Sequence, residues 1–267
     1  MAEINQKTPQ DQLKGINRLR QKVRPALLYV VSFAQFFDIV NGASVSVAIL
    51  PIAQDLHFTV PQVLWILNAY TISFAGLLLV SGRLGDLFGH RRMFMFGLFW
   101  FALWALIVSF STSPIMFILA RALQGMGAAA TVPTAMALIA TTYPAGPERT
   151  RAFSIFGAFG GLGAVCGILL AGGFIASIGW QWIFRVSAIA AFILLAISYV
   201  VIPVSAPKAE KPKIDYLGAI TATLGVTGIV YYISTGVEYG WADPKTIPIF
   251  VVALGLIALF IFIESRV

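Results

Sequence analysis

Gly82-Arg-Leu-Gly-Asp-Leu-Phe-Gly-His-Arg-Arg92 separates two stretches, 63–82 and 93–111, that carry no charged residue. Apolar stretches near 20 residues are long enough to cross a bilayer as helices, so this segment predicts a tight hairpin between two membrane spans. Glycine suits a turn where backbones reverse or approach closely, and Asp86 among Arg83, Arg91 and Arg92 can form a charge cluster or cap a neighbouring helix N-terminus. On charge alone the segment reads as a basic cytoplasmic loop. The same alternation recurs along the chain and predicts eight spans, at 26–52, 63–82, 93–111, 115–142, 152–177, 182–203, 216–236 and 246–263. The expected fold class is an all-α membrane protein.

Composition agrees. Of 267 residues, 59% are hydrophobic and 11% charged, with a mean hydropathy of +0.87, which excludes an ordinary soluble domain and a disordered chain. The single cysteine, Cys166, permits no internal disulfide, and His57 and His90 are too far apart in sequence to suggest a metal site with it, so no metal and no cofactor is expected. Residues 1–25 form a polar tail with no apolar core, so no cleavable signal peptide is expected and span 1 serves as an uncleaved anchor. Of the eighteen Lys and Arg residues, fifteen fall on the N-terminal side of the membrane. Lys245 alone falls opposite, while Arg121 and Arg185 lie within spans. That asymmetry predicts a cytoplasmic N-terminus and cytoplasmic even-numbered loops, and it explains the basic excess without nucleic acid. Trp180, Trp182 and Trp241 then lie at the outer face as interfacial anchors. Pro203-Val-Ser-Ala-Pro-Lys-Ala-Glu-Lys-Pro-Lys213 reads as a linker. The expected organisation is a cytoplasmic tail (1–25), a six-helix unit (26–203), a linker (204–215) and two accessory helices (216–263).

Charges inside spans are the candidate site. Asp38 is the one charged residue between Arg24 and Asp55; burying a carboxylate there is expensive, so it must face the bundle interior and take a proton or find a cation. Gln35 and Asn41 flank it at three-residue spacing. In span 4, Arg121, Gln124, Ala128 and Thr131 share one helical face that suits a bundle interior better than acyl chains. Asn68 and Thr71 of span 2 extend the polar residues, either lining a cavity or bonding helix to helix. Span 5 is rich in glycine; Gly163 and Gly167 have small-xxx-small spacing, and with Gly172 they predict close helix packing rather than a dinucleotide loop. Arg185 reads as interfacial and Cys166 as a small packing residue. No Ser, His and Asp arrangement, no H-E-x-x-H and no phosphate loop occurs, so no enzyme is expected.

Gly82, Leu84, Asp86, Gly89 and Arg91 resemble the signature loop of the major facilitator superfamily, G-x-L-a-D-r-x-G-r-k, with Gly85 and His90 as variants. Leu119-Ala-Arg-Ala-Leu-Gln-Gly-Met-Gly-Ala-Ala129 resembles its second signature, with Arg121, Gln124, Gly125 and Gly127 in place. The glycine-rich span 5 is similar to the antiporter signature G-x-x-x-G-P-x-x-G-G, with Ile168 for the proline and Ala171 for a glycine. Asp215-Tyr-Leu-Gly218, Glu238-Tyr-Gly-Trp241 and Glu264-Ser-Arg266 resemble the fourteen-span drug:proton antiporter branch, and Gln35-Phe-Phe-Asp38 to Pro51 looks most like its fungal, aminotriazole-resistance-like members. The resemblance implies a six-helix N-terminal half built from inverted three-helix repeats. It also implies a gating loop of Gly82, Asp86, Gly89 and Arg91, proton coupling through Asp38 and Arg121, and tight packing at Gly125 and Gly127. Substrate candidates are Gln35, Asn41, Asn68, Thr71, Gln124 and Thr131, lining a cavity between spans 1, 2, 4 and 5. The implied activity is proton-coupled export of small amphipathic solutes, associated with drug resistance, across the plasma or vacuolar membrane. A nutrient facilitator and a non-transporting membrane subunit are the alternatives. The family needs a second six-helix half, so the expectation is a truncated product or fragment completed by that half or by a second chain.

Overall fold

The computed structural model describes residues 9–203 and 216–264, all helix or short connection; the expected linker lies outside the described residues. The helices are α1 (Pro9–Asp55), α2 (Val60–Val63), α3 (Trp65–Phe88), α4 (His90–Val108), α5 (Pro114–Thr142), α6 (Pro147–Ser177), α7 (Gln181–Val201), α8 (Tyr216–Tyr239) and α9 (Ile247–Glu264). Among the described residues six segments are long and apolar enough to cross a membrane, the first being Arg24–Asp55. The last two expected spans contain shorter apolar helices, Ile220–Ile233 and Ile247–Ile263.

Helix ends depart from the hydropathy boundaries at two places. The 1–25 tail is helical from Pro9 onward and runs without a break into the first span; apart from Gly15, the Leu, Lys, Arg and Gln residues there are good helix formers. The Gly82–Arg92 loop is also mostly helix. Only Gly89 interrupts it, with φ +93°, a conformation that strains any residue with a Cβ. Elsewhere the starts follow local chemistry: Pro114 opens α5 and the Ser113 side chain accepts from the Met116 N–H at 3.3 Å.

α1 packs on α6, α5 sits between α3 and α4, α7 covers α1 and α4, and the α8–α9 hairpin leans on α3. Glycines make these approaches possible. A methyl at Gly163 or Gly167 would lie 2.6 Å from the carbonyl oxygen of Phe36 or Val40, and the Ser44 hydroxyl donates to the Gly167 carbonyl at 2.8 Å. A methyl at Gly125 would meet the Tyr70 carbonyl, and one at Gly127 the Phe101 backbone, both at 2.5 Å. Gly172 differs from the expectation: it is exposed, with nothing near enough to meet a Cβ.

Two large apolar clusters cap the six-helix frame. One gathers Leu27, Val31, Phe94, Ile139 and Phe156, the other Val45, Ile52, Ile66, Phe117 and Phe184. Along α1, Asn41 lies between the two clusters, so a polar layer interrupts the apolar core partway along the span.

Candidate functional site

Among the described residues Arg121 is the largest side chain that the bundle buries completely, at 1% exposure. A charge at this depth requires partners that satisfy its donors. α1 and α5 supply them for one nitrogen: Nη1 of Arg121 donates to Asn41 Oδ1 at 2.9 Å and to Gln124 Oε1 at 2.7 Å, while Nε is buried without a hydrogen-bond partner. Gln124 Nε2 also reaches Asn41 Oδ1 at 3.5 Å, and Asn41 Nδ2 donates to Ser187 Oγ of α7 at 3.2 Å. The Ser187 hydroxyl in turn donates to the Ile183 carbonyl at 2.8 Å. Aromatic faces complete the enclosure, with the Arg121 guanidinium 4.3 Å from the Tyr70 ring centroid and 5.6 Å from that of Phe184. Both lie within the range over which a ring quadrupole attracts a cation.

Asp38 is half-buried, and the Tyr70 hydroxyl donates to its Oδ1. Among the described residues no carboxylate stands within ion-pair distance of Arg121. Asp38 and Arg121 are therefore brought together through a third residue: Tyr70 touches the acid with its hydroxyl and the cation with its ring. Tyr70 also stacks on Phe74, with centroids 6.1 Å apart and planes within 4°. Reading charges in spans located Asp38 and Arg121 but passed over Tyr70 and Ser187. The available signal was a tyrosine well inside a span rather than at its end, where the phenol must find a partner.

The six substrate candidates do not share one surface. Asn41 and Gln124 are fully buried around Arg121, and the buried Thr131 hydroxyl is turned back on the Gly127 carbonyl at 2.7 Å. Thr71 is exposed, its hydroxyl donating to the Leu67 carbonyl at 3.2 Å, and Asn68 is half-buried. Gln35 lies against α6 at Gly160, its Oε1 buried without a hydrogen-bond partner. A cavity of about 340 Å³ opens elsewhere, between Leu78, Gly82, Arg83 and Asp86 of α3, Pro133 of α5 and Phe260 of α9.

At the α3–α4 junction, Asp86 Oδ1 is 3.6 Å from His90 Nε2, a pair that is ionic when the histidine is protonated. Arg91 Nη2 donates to the Tyr199 carbonyl at 2.6 Å and its guanidinium lies 5.4 Å from that ring, tying the junction to the end of α7. A methyl at Gly85 would meet Thr134 Cγ2 of α5 at 2.8 Å, whereas one at Gly82 would make only ordinary contact with Pro133. At the far end, Trp180 corrects the expectation of an interfacial anchor. It is 3% exposed and its indole N–H donates to Asp55 Oδ2 at 2.9 Å, with Gln181 Nε2 on the same oxygen at 3.2 Å. Arg185 lies against Trp182 and Phe110, at 5.2 and 5.4 Å.

Known proteins share this frame. The chain is 36% identical over 246 residues to the cephamycin export protein CmcT of Amycolatopsis lactamdurans, a match covering 90% of this chain and 49% of that protein. It is 34% identical to the puromycin resistance protein pur8 of Streptomyces alboniger, covering 90% of this chain and 47% of that protein. Identity is also 34% to the low affinity ammonium transporter of Saccharomyces cerevisiae, covering 77% of this chain and 42% of that protein. Bacterial and fungal relatives thus stand at similar identity, and the chain spans about half the length of each. Among solved structures, the peptide transporter POT in complex with sulfate superposes with a TM-score of 0.65 at 17% identity, over 91% of this chain and 55% of that one. At that identity the likeness concerns the fold, and its coverage exceeds what residues 1–203 can supply, so it takes in part of the segment beyond the six-helix unit. The profile of the Major Facilitator Superfamily, a group of transporters rather than enzymes, matches residues 31–265, from the first span into the last helix, and the chain belongs to that superfamily.

Proposed function

We propose that the chain is the substrate-translocating N-terminal half of a proton-coupled exporter of small amphipathic solutes. Asp38 alternates between ionised and protonated forms, and the buried Arg121 biases that exchange. The observation that carries this reading is the cluster itself: a half-buried acid and a fully buried arginine joined through Tyr70 within the apolar spans. Such groups are costly in hydrocarbon and mark ion pathways. Relatives named for puromycin resistance and cephamycin export support the direction and the solute class. The basic-residue partition supports a cytoplasmic N-terminus and a cytoplasmic α3–α4 junction, with the protein in the plasma or vacuolar membrane. Alternating access rocks two halves about a midplane site, so the transport unit includes a second half, in the same polypeptide or in a second chain.

The experiment is uptake of puromycin into vesicles holding the full-length protein, driven by a pH step. Asp38→Asn abolishes the proton-driven component while the protein stays folded. Wild-type pH dependence in that variant would overturn the assignment. The yeast ammonium transporter among the relatives favours a second reading, a nutrient facilitator, which pH-independent flux down a gradient would mark.

A further inference from the structure

We propose that Tyr70 is the positioning residue that links the charge state of Asp38 to Arg121, its hydroxyl holding the carboxylate while its ring lies under the guanidinium. This rests on the proton-coupling reading and adds a residue to it.

The geometry assigns Tyr70 two jobs at once. Its hydroxyl donates to Asp38 Oδ1, a bond that favours the ionised acid because a carboxylate accepts more strongly than a neutral carboxyl. Its ring face is 4.3 Å from Arg121 Cζ, close enough that rotating or tilting the ring changes the contact with the cation. The ring has little freedom to move alone: it is 9% exposed and stacked on Phe74, with α5 drawn against its own carbonyl at Gly125. The ionisable side chains of this cluster are Tyr70, on Asp38 itself, and Arg121, across the Tyr70 ring. Around Asp38, α6 packs Gly163 and Gly167 on Phe36 and Val40 and α7 brings Ser187 to Asn41; the ionisable contact of α6 with α1, Glu148 on Arg24, lies fourteen residues away along the helix.

The proton step balances simply. A proton from the aqueous side bonds to a carboxylate oxygen of Asp38, which becomes a neutral acid with one O–H donor. The phenol keeps its own proton; its bond to the carboxyl weakens, because a neutral carboxyl oxygen accepts less strongly, and the phenol oxygen becomes free to accept the new O–H. No other bond forms or breaks. The weaker pull on the hydroxyl reaches the Arg121 contact as a small shift of the ring together with α3, since Phe74 and α5 keep the ring from moving alone. A single stiff side chain thus does what a direct ion pair would do less reversibly, because a direct pair would hold Asp38 ionised.

The test needs no substrate. In the full-length protein, an infrared titration follows the buried protonated-carboxyl band, assigned to Asp38 by its loss in Asp38→Asn. Tyr70→Phe keeps the ring and removes the hydroxyl, so the carboxylate loses a charge-assisted hydrogen bond. The midpoint then moves to higher pH by about one to two units. Replacing Tyr70 by 3-fluorotyrosine, a stronger donor of the same shape, moves it the opposite way. Arg121→Lys displaces the midpoint in the wild-type background and leaves it in place when Tyr70 is leucine. An unmoved midpoint in Tyr70→Phe overturns the inference, as does an equal Arg121→Lys displacement in both backgrounds. Absence of any band sensitive to Asp38→Asn instead overturns the underlying proton-coupling reading.

Discussion

Substituting Gly167 by alanine tests whether the α1–α6 seam is held as closely as the structure has it. The added methyl would lie 2.6 Å from the Val40 carbonyl oxygen and 2.9 Å from Ala43 Cβ, against an ordinary contact beginning near 3.4 Å. The nearest obstacle is backbone, so no flexible tip can move aside, and α6 must retreat by about 0.8 Å, the difference between those two distances. Overpacking of this kind costs about 1–3 kcal/mol. The retreat also stretches the 2.8 Å bond from the Ser44 hydroxyl to the Gly167 carbonyl past useful length, losing about 0.6 kcal/mol on the scale measured for interhelical bonds in membranes. Against this stands about 1 kcal/mol of helix propensity gained on replacing glycine by alanine. The net is a loss of about 0.6–2.6 kcal/mol. Gly172→Ala is the internal control, because nothing within 4 Å of that position would meet the methyl. It collects the propensity gain alone and stabilises by up to about 1 kcal/mol. Thermal unfolding of the purified full-length protein in detergent reads both, with opposite signs expected. A Gly167→Ala protein that unfolds at or above the wild-type temperature would refute the seam.

Asn41→Ala removes an acceptor from the buried Arg121 and should destabilise by about 1.5–3 kcal/mol. Ser187→Ala, at the neutral end of the same network, should cost nearer 0.6 kcal/mol; equal losses in the same unfolding assay would show that Asn41 does not support the charge. Gly89→Ala forces a Cβ into φ +93° and should cost about 1–2 kcal/mol, measured by chemical unfolding, whereas an unchanged midpoint would argue against that backbone geometry. A cysteine placed at Ser205 in the full-length protein should react with an impermeant thiol reagent only after the cytoplasmic face is opened, and labelling from outside intact cells would reverse the orientation.

Asp38 and Arg121 were legible because a charge inside an apolar span has few structural reasons to be there. The 3-4-3 spacing on α5 also placed Arg121 and Gln124 on one face. What periodicity could not supply was rotation of one helix against another. That decides whether Asn41 and Gln124 look into a cavity or hold the arginine, and they hold it. Tyr70 escaped for a chemical reason: hydropathy counts its ring with the apolar residues, and the phenol that makes it useful here is the part normally placed at a membrane surface. The hairpin at Gly82–Arg92 shows the other limit. Hydropathy measures where hydrocarbon ends, not where the helix ends, and a helix that continues past the bilayer turns polar while its backbone hydrogen bonds carry on. α3 therefore runs through Arg83 and Asp86 to Phe88 before one glycine breaks it. The expected loop becomes the last turns of a helix, and that helical extension sets Asp86 at a fixed height beside His90 rather than on a mobile tip.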